Sequence, residues 1–456
     1  MKNPLFALAA VLALPALPAA FGQTNPTVTK WLQNTTNVRG RHYVGGSSTL
    51  VQDTAHANVQ RVRYSAGSVY INYSGIPAYV VGPYLDNNPS QASNRKYLFK
   101  LPLNPVVNPG TATVVGMGNT GVLINGVPVY NSADGMSYNN AGVWNQNAVV
   151  FENVGFDCAK GHPSPVFLGP PGMSTLAGGS YHHHQNPSAF NIAAVPLSTV
   201  CNVYLADGLY VPNATRHGPL IGFAFDGFPI YGGYGYTNPQ QAGAIKRMMP
   251  SYRMRAITDR TTLPNGSTAS QVGPTLSAQA LGSYAEDFEF VAGLGDLDSH
   301  NGRLCVTPEY PLGTYAYFAT IDGNGNSVYP YLLGPSYYGV VETSNFPIMG
   351  PNAGSTQVVI SEPVTTYMPI ASATAAAAEM GQLTVFPSPA HDLLVVQAAV
   401  APRAAQLVEL LDLTGRVVAR QTLFPGSTMC YFDTQALHAG TYLVRASGTV
   451  TKVVVE

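Results

Sequence analysis

The segment Ile221-Gly-Phe-Ala-Phe-Asp226-Gly-Phe-Pro-Ile-Tyr231-Gly-Gly-Tyr-Gly-Tyr236 decides the fold class of this chain. Glycines and a proline interrupt its aromatic and aliphatic residues, which is typical of a strand and a tight turn that pack rings into a core. Because a buried carboxylate needs a partner, Asp226 is expected to meet an arginine, a histidine or a metal ion. If the rings were exposed instead, they would form a stacking surface for a sugar or another flat ligand.

The same pattern extends over most of the 456 residues, which include 46 Gly, 36 Pro and 27 Tyr. Short apolar stretches between frequent turn residues predict a mainly β protein. We expect a central multi-stranded β domain with long Gly/Pro-rich loops and a small C-terminal β-sandwich. Charged residues make up only 10% of the chain and the net charge is -1. This balance argues against binding to nucleic acid or to an anionic membrane, since both require a basic surface.

The first 22 residues resemble an export signal. Lys2 supplies a positive charge, and residues 5–20 form an apolar run that ends in small residues. The run is shorter than the roughly 20 residues of a spanning helix and contains two prolines. The sequence therefore predicts a signal peptide at 1–22, no transmembrane segment in the mature chain, and a secreted or cell-surface location.

Changes in composition predict four further regions. Residues 23–115 alternate apolar and polar positions and form either a separate β region or the first strands of the central domain. Histidines, cysteines and aromatic-glycine clusters concentrate in 116–368, which is the predicted central domain. Residues 369–380 are rich in alanine and lack an apolar face, which indicates a linker. Residues 381–456 contain at least four alternating strand patterns and predict the sandwich.

The tetrapeptide Tyr181-His182-His183-His184 carries the sharpest chemical signal. On an extended strand alternate side chains share a face, so His182 and His184 would point together. Two imidazoles on one face form half of a transition-metal site, and a further histidine or carboxylate would complete it. We expect copper or zinc as the cofactor.

Candidates for the missing ligands are His162, His217, Asp226 and His300. A second interpretation is general acid–base catalysis by the same histidines, and a third is that each histidine stabilises a turn or a polar core. The chain contains no Gly-x-Ser-x-Gly and no His-Glu-x-x-His motif. The sequence therefore leaves open whether the protein is an enzyme.

The four cysteines are Cys158, Cys201, Cys305 and Cys430. Export makes disulfides chemically feasible. Cys158 and Cys201 bracket the histidine tetrapeptide and are candidates for a bridge that staples the site. Cys430 lies in the predicted sandwich, which favours buried thiols at Cys305 and Cys430 over a second bridge.

The central motifs together resemble the YHYH domain family. The resemblance runs over about 116–345 through five ordered blocks: Gly126-Val-Pro-Val-Tyr130-Asn, Gly161-His162-Pro163, Tyr181-His182-His183-His184, His217-Gly-Pro-Leu-Ile-Gly-Phe-Ala-Phe-Asp226-Gly-Phe-Pro-Ile-Tyr231-Gly, and Asn301-Gly302-Arg303 to Thr314-Tyr315. His183 stands where the family's tetrapeptide has its second tyrosine. The resemblance brings no established activity with it, so function has to be argued from the site.

The C-terminal segment resembles the type A sorting domain of the type IX secretion system. Three blocks carry this resemblance: Val385-Phe386-Pro387-Ser388-Pro389-Ala390, Leu411-Asp412-Leu413-Thr414-Gly415-Arg416-Val417, and Leu437-His438-Ala439-Gly440-Thr441-Tyr442-Leu443-Val444-Arg445. It implies the type IX secretion machinery as a partner and passage across an outer membrane.

The leading hypothesis is a secreted or cell-surface protein that binds a transition metal through its histidine cluster. One alternative is an adhesion or glycan-binding protein with structural histidines, in which the aromatic-glycine segments bind the ligand. The other is a metal-dependent oxidase or hydrolase.

Overall fold

The structure is a computed structural model. It describes residues 24–43, 50–82, 84, 91–164, 179–187, 197–198, 209–210, 213–346, 357–369, 383–400, 406–413, 416–423, 427–446 and 449–456. The predicted signal peptide, nearly all of the predicted linker and Cys201 lie outside the described residues. The chain divides into two compact units, Met1–Tyr367 and Met368–Glu456.

Short strands dominate the first unit. They are β1 (Arg39–Tyr43), β2 (Leu50–His56), β3 (Val59–Tyr64), β4 (Ser68–Tyr73), β5 (Val80–Val81), β6 (Tyr97–Pro102), β7 (Asn119–Leu123), β8 (Pro128–Tyr130), β9 (Ala133–Ser137), β10 (Asn145–Asn147), β11 (His162–Pro163), β12 (Tyr181–His182), β13 (Leu197–Ser198), β14 (Leu209–Tyr210), β15 (Leu220–Ala224), β16 (Pro229–Tyr231), β17 (Tyr234–Tyr236), β18 (Ile245–Arg247), β19 (Tyr252–Met254), β20 (Phe288–Phe290), β21 (Gly302–Cys305), β22 (Thr314–Phe318) and β23 (Thr365–Tyr367). The helices are α1 (Pro26–Thr29), α2 (Ala148–Phe151) and 3-10 turns at Tyr138–Asn140, Asn153–Gly155, Ala285–Asp287 and Thr343–Asn345.

A six-stranded sheet in the order β21-β22-β16-β15-β7-β8 lies at the centre of this unit. Every residue of β7, β15 and β16 is buried. A sheet that is covered on both faces selects nearly continuous apolar strands, which explains why the segment 221–236 is so rich in apolar and aromatic residues. The predicted fold class, mainly β with a C-terminal β domain, is confirmed.

The aromatic-glycine segment forms the hairpin β15–β16. Gly227 adopts a φ of +86° in its turn, a conformation that glycine adopts at little cost. Phe223, Phe225 and Tyr231 have no exposed surface. The interpretation of these rings as an exposed stacking surface is therefore wrong, because the central position of the two strands buries them.

A four-stranded sheet in the order β23-β3-β4-β6 contributes to the same hydrophobic core. That core contains Val28, Ile71 and Phe99 from the first hundred residues, together with Phe223 and Tyr317 from the six-stranded sheet. Residues on both sides of position 115 therefore share one core.

The second unit consists of two antiparallel sheets. Its strands are β24 (Leu383–Phe386), β25 (Leu393–Ala398), β26 (Gln406–Leu411), β27 (Val417–Leu423), β28 (Met429–Asp433), β29 (Gly440–Ala446) and β30 (Thr449–Val455). One sheet has the order β24-β25-β28 and the other β27-β26-β29-β30. Alternate residues such as Val396 and Phe432 from the first sheet and Leu410 and Val444 from the second form one core. This is the arrangement of a small β-sandwich.

Candidate metal centre

The histidines of the centre come from two paired strands. In β11 and β12, His162 lies opposite His182 and Pro163 lies opposite Tyr181. Side chains that are directly opposite in an antiparallel pair lie on the same face of the ladder. The pairing therefore brings His162 to a histidine that lies much further along the chain.

The edge of the six-stranded sheet holds this histidine strand in place. The His183 N–H donates to the Pro128 carbonyl at 3.2 Å, and the Tyr130 N–H donates to the His183 carbonyl at 2.9 Å. Both partners belong to β8, which is the last strand of the sheet. The backbone of the tetrapeptide is therefore fixed by a long, buried scaffold rather than by a free loop.

Three imidazole nitrogens converge on one point. The Nε2 atom of His182 lies 3.2 Å from Nε2 of His162 and 3.0 Å from Nε2 of His184. Ligand atoms of the three residues all lie within 4.8 Å of one another. Four ligands at about 2.0–2.1 Å around a tetrahedral zinc ion would be about 3.3 Å apart, so the observed spacing fits a bound ion.

The opposite ring nitrogens determine which tautomers are present. Nδ1 of His182 lies 2.8 Å from the Ser180 carbonyl oxygen, and Nδ1 of His184 contacts the Asn131 carbonyl oxygen. A carbonyl oxygen only accepts, so both Nδ1 atoms must donate. In the neutral rings the two Nε2 atoms then carry lone pairs that face each other, and a positive charge between them would relieve the repulsion.

Glu152 is the fourth group of the centre. It follows α2 directly, and its Oε2 atom lies 3.1 Å from Nε2 of His184 and 3.3 Å from Nε2 of His162. This oxygen is buried and has no hydrogen bond of good geometry among the described residues, although it lies within ion-pair distance of both rings. A carboxylate oxygen beside three imidazole nitrogens is a donor set that suits a transition metal.

Burial strongly perturbs the titration of these groups. It lowers the pKa of His182 well below the usual range, and the neighbouring His162 and His184 add to the effect. Burial alone would raise the pKa of Glu152, but the adjacent rings of His162 and His184 bring it well below its usual range. The centre therefore consists of a charged carboxylate and, at His182, a ring that stays neutral at ordinary pH.

Aromatic side chains enclose the histidines. Tyr130 stacks on the ring of His182, with centroids 3.7 Å apart, and Phe156 packs edge-on against His162. The side chains of His162 and His184 are 9% and 4% exposed, whereas that of Glu152 is 25% exposed. Solvent therefore reaches the centre from the side of Glu152.

The other two residues of the tetrapeptide point the opposite way. Tyr181 donates its hydroxyl to Asp157, and His183 is held between the Lys160 carbonyl and the Tyr79 hydroxyl. Burial lowers the pKa of His183 to about 3. The tetrapeptide thus has one face toward the cluster, His182 and His184, and an anchoring face, Tyr181 and His183.

Of the four candidate ligands named from the sequence, the structure brings only His162 to the histidine pair. The other three, His217, Asp226 and His300, lie in other surroundings. Nδ1 of His217 donates to the Gly218 carbonyl, and its ring packs on tyrosines. Nδ1 of His300 donates to the Ser336 carbonyl. Each of these two histidines has a local role, because the loop that carries it ends at a different part of the sheet.

Asp226 is buried, and among the described residues its hydrogen-bond partners include none of the candidate metal-binding residues. Its carboxylate accepts the Tyr317 hydroxyl at 2.6 Å and the backbone N–H groups of Phe228 and Gly339. Burial raises its pKa to about 6. The expectation that this carboxylate needs a partner holds, but the partners are a tyrosine and the backbone rather than an arginine, a histidine or a metal.

Sequence patterns did not identify Glu152. No motif marks it, since it follows a single helical turn and lies far from the tetrapeptide along the chain. One signal was present: Asp134, Glu152 and Asp157 are the only carboxylates between positions 116 and 206. Glu152 is at the centre, and Asp157 anchors Tyr181. Burial raises the pKa of Asp134, the neighbouring Glu152 raises it further, and His184 lowers it.

Cys158 is disulfide-bonded, whereas Cys305 and Cys430 are buried free thiols. Cys201 lies outside the described residues, and the bridge from Cys158 to Cys201 stays a prediction.

The fold and the centre together define a β protein with a buried three-histidine, one-carboxylate cluster. Residues 98–328 match the family model of the YHYH protein, and this match covers half of the chain. The chain belongs to the YHYH family. A search of curated proteins found no match.

Residues 384–456 match the secretion system C-terminal sorting domain, which coincides with the β-sandwich unit. This domain marks the chain for recognition by the type IX secretion machinery and for export to the cell surface or the medium. Among the described residues, no helix has the length and apolar character needed to cross a bilayer.

Proposed function

We propose that this exported protein binds one transition-metal ion, copper or zinc, through His162, His182, His184 and Glu152. The observation that carries the proposal is the approach of three Nε2 atoms and one carboxylate oxygen to within hydrogen-bond distance of their neighbours. The carbonyl partners of His182 and His184 orient the lone pairs inward. Metal-ligating histidines commonly donate their second nitrogen to such a partner.

The competing explanation is a proton in place of the metal. A protonated His184 could donate to Glu152, since the two atoms are 3.1 Å apart. That explanation places an imidazolium in a buried cluster, where desolvation is costly. A divalent cation satisfies all four groups at once.

The test is metal content. The exported chain is purified without a polyhistidine tag, incubated with copper or zinc, desalted and analysed by inductively coupled plasma mass spectrometry. We expect about one ion per chain, and less than about 0.1 ion for the variant His182→Ala/His184→Ala. His217→Ala is the matched control, since this half-buried histidine lies outside the cluster, and it should keep the ion. A parent protein that stays free of metal under both conditions would contradict the proposal.

A second proposal is that the centre is catalytic, as a hydrolase or an oxidase. The exposure of Glu152 favours it, because a catalytic site keeps one position accessible to water or substrate. Azide added to the copper-loaded protein tests for an open position. A new charge-transfer absorption band supports the catalytic proposal, and an unchanged spectrum at saturating azide indicates a closed, structural site.

A further inference from the structure

We infer that Asp157 and Tyr181 are positioning residues of the metal centre, which fix both ligand-bearing strands through one buried carboxylate. This inference rests on the proposed metal site. It concerns groups that do not touch the ion.

The carboxylate of Asp157 binds both sides of the strand pair. Its Oδ1 atom accepts the N–H groups of Ala159 and Gly161 at 2.9 and 3.1 Å, in the loop that leads directly into His162. Its Oδ2 atom accepts the Tyr181 hydroxyl at 2.8 Å, one residue before His182. A single side chain thus connects the two segments that carry the three histidine ligands.

A third segment is tied to the same carboxylate. The Gly82 N–H donates to Oδ2 at 2.9 Å, just after β5. Asp157 is almost fully enclosed, at 7% exposure, so the carboxylate exchanges few of these bonds for water. Each of these hydrogen bonds joins groups that are closed off from water, so together they order the three segments around one carboxyl group.

Close packing leaves little room for a different arrangement. A Cβ atom on Gly161 would lie 2.5 Å from the Tyr181 hydroxyl oxygen and 2.9 Å from a ring carbon of His183. Any side chain at this position would push the anchoring face away from the loop. The close approach of Tyr181 therefore explains why the residue directly before the ligand His162 is a glycine.

The chain offers a matched control within the same fold. Asp226 is also a buried carboxylate that accepts one tyrosine hydroxyl, from Tyr317, and backbone N–H groups. It makes no contact with the metal centre. A substitution at Asp226 therefore shows how removing such a network alone affects metal binding. A substitution at Asp157 has the same general effect and, in addition, any effect on the position of the ligands.

The experiment compares Asp157→Asn and Tyr181→Phe with Asp226→Asn and Tyr317→Phe in the full exported chain. Copper affinity is measured by competition with a chelator, and the Cu(II) electron paramagnetic resonance spectrum reports the ligand geometry. We expect a loss of affinity of about 10- to 100-fold for Asp157→Asn, a smaller loss for Tyr181→Phe, and a shifted spectrum for both. The two control variants should keep the affinity within about 2-fold and the parent spectrum.

Each outcome separates this inference from the proposed function. Parent protein that binds copper, with Asp157→Asn and Tyr181→Phe unchanged in affinity and spectrum, overturns the inference and leaves the metal site intact. Parent protein that binds no metal overturns the proposed function and the inference with it. If both test variants fail to fold while both controls fold, a purely structural role accounts for the contacts and the inference is wrong.

Discussion

Two buried polar regions of the first unit differ in one respect. Around Asp226, the carboxylate oxygens meet a tyrosine hydroxyl and backbone N–H groups. Around Glu152, a buried carboxylate oxygen has no hydrogen bond of good geometry among the described residues, and three Nε2 atoms converge beside it. A satisfied network stabilises a fold, whereas convergent acceptors require an additional cation. On the proposed function, this difference distinguishes a structural site from a binding site in the same domain.

We expect the largest loss of metal affinity when His162, the third histidine of the cluster, is removed. Structural zinc contributes about 10–16 kcal/mol of apparent binding free energy, so one ligand of four accounts for about 2.5–4 kcal/mol, or about 60- to 700-fold in affinity. We expect His162→Ala to lose this much in a chelator competition and His300→Ala to bind like the parent. Equal metal affinities of His162→Ala and His300→Ala would contradict a role for His162 as a ligand.

Glu152→Gln should have the next largest effect. The amide keeps the size of the side chain but removes the negative charge beside the ion. Removal of one partner from a buried charge pair costs about 3–5 kcal/mol, and the partial exposure of Glu152 reduces this to about 2–3 kcal/mol, or about 100-fold in affinity. Isothermal titration calorimetry checks the value, and an unchanged dissociation constant would remove Glu152 from the ligand set.

In the metal-free protein, Asp157 and Asp226 should each contribute to the pH dependence of the free energy of unfolding. Burial raises the pKa of Asp157 to about 7 and that of Asp226 to about 6. Between about pH 4 and these values each of the two carboxyl groups binds more protons in the folded than in the unfolded state, so each contributes a fall in the free energy of unfolding as the pH rises. This contribution is on the order of 3–4 kcal/mol for each carboxyl. The lowered pKa values of His182 and His183 contribute a rise over the same range, so the effect of each carboxyl is the difference in slope between the parent and its Asn variant.

Chemical denaturation in the presence of a chelator measures this slope at several pH values. Asp157→Asn and Asp226→Asn should each remove part of it. An Asn variant whose free energy of unfolding has the same pH slope as that of the parent would contradict the raised pKa of the carboxyl group that it replaces.

The smallest effect is expected at His183. This ring belongs to the anchoring face and contacts Tyr79 and the Lys160 carbonyl rather than the centre. The YHYH tetrapeptide has tyrosine at this position, so His183→Tyr should keep the metal affinity within about 3-fold. His182→Tyr is the control at the neighbouring position and should lose the ion. A large loss for His183→Tyr would assign the anchoring face a direct part in binding.

The sequence predicted those features that depend on local pattern. Alternation along an extended strand placed His182 and His184 on one face, and glycine-punctuated aromatic residues predicted the β15–β16 hairpin. The composition of 381–456 predicted a β domain, and the match to a sorting domain confirms the resemblance stated for it.

The features that the sequence did not predict depend on pairing between distant segments. His162 could be named as a candidate, but its selection over His217 and His300 follows from the register of β11 against β12. Glu152 was missed because its place results from the packing of a single helical turn against the histidine strand. No periodicity or motif encodes such a contact.

The central claim is most directly tested by a crystal of the copper- or zinc-loaded protein, with diffraction recorded at the absorption edge of the metal. We predict one anomalous difference peak about 2.0–2.1 Å from the Nε2 atoms of His162, His182 and His184, with the Glu152 carboxylate completing the shell. A peak at another place, or an empty cluster in crystals that were fully loaded with metal, would contradict the account.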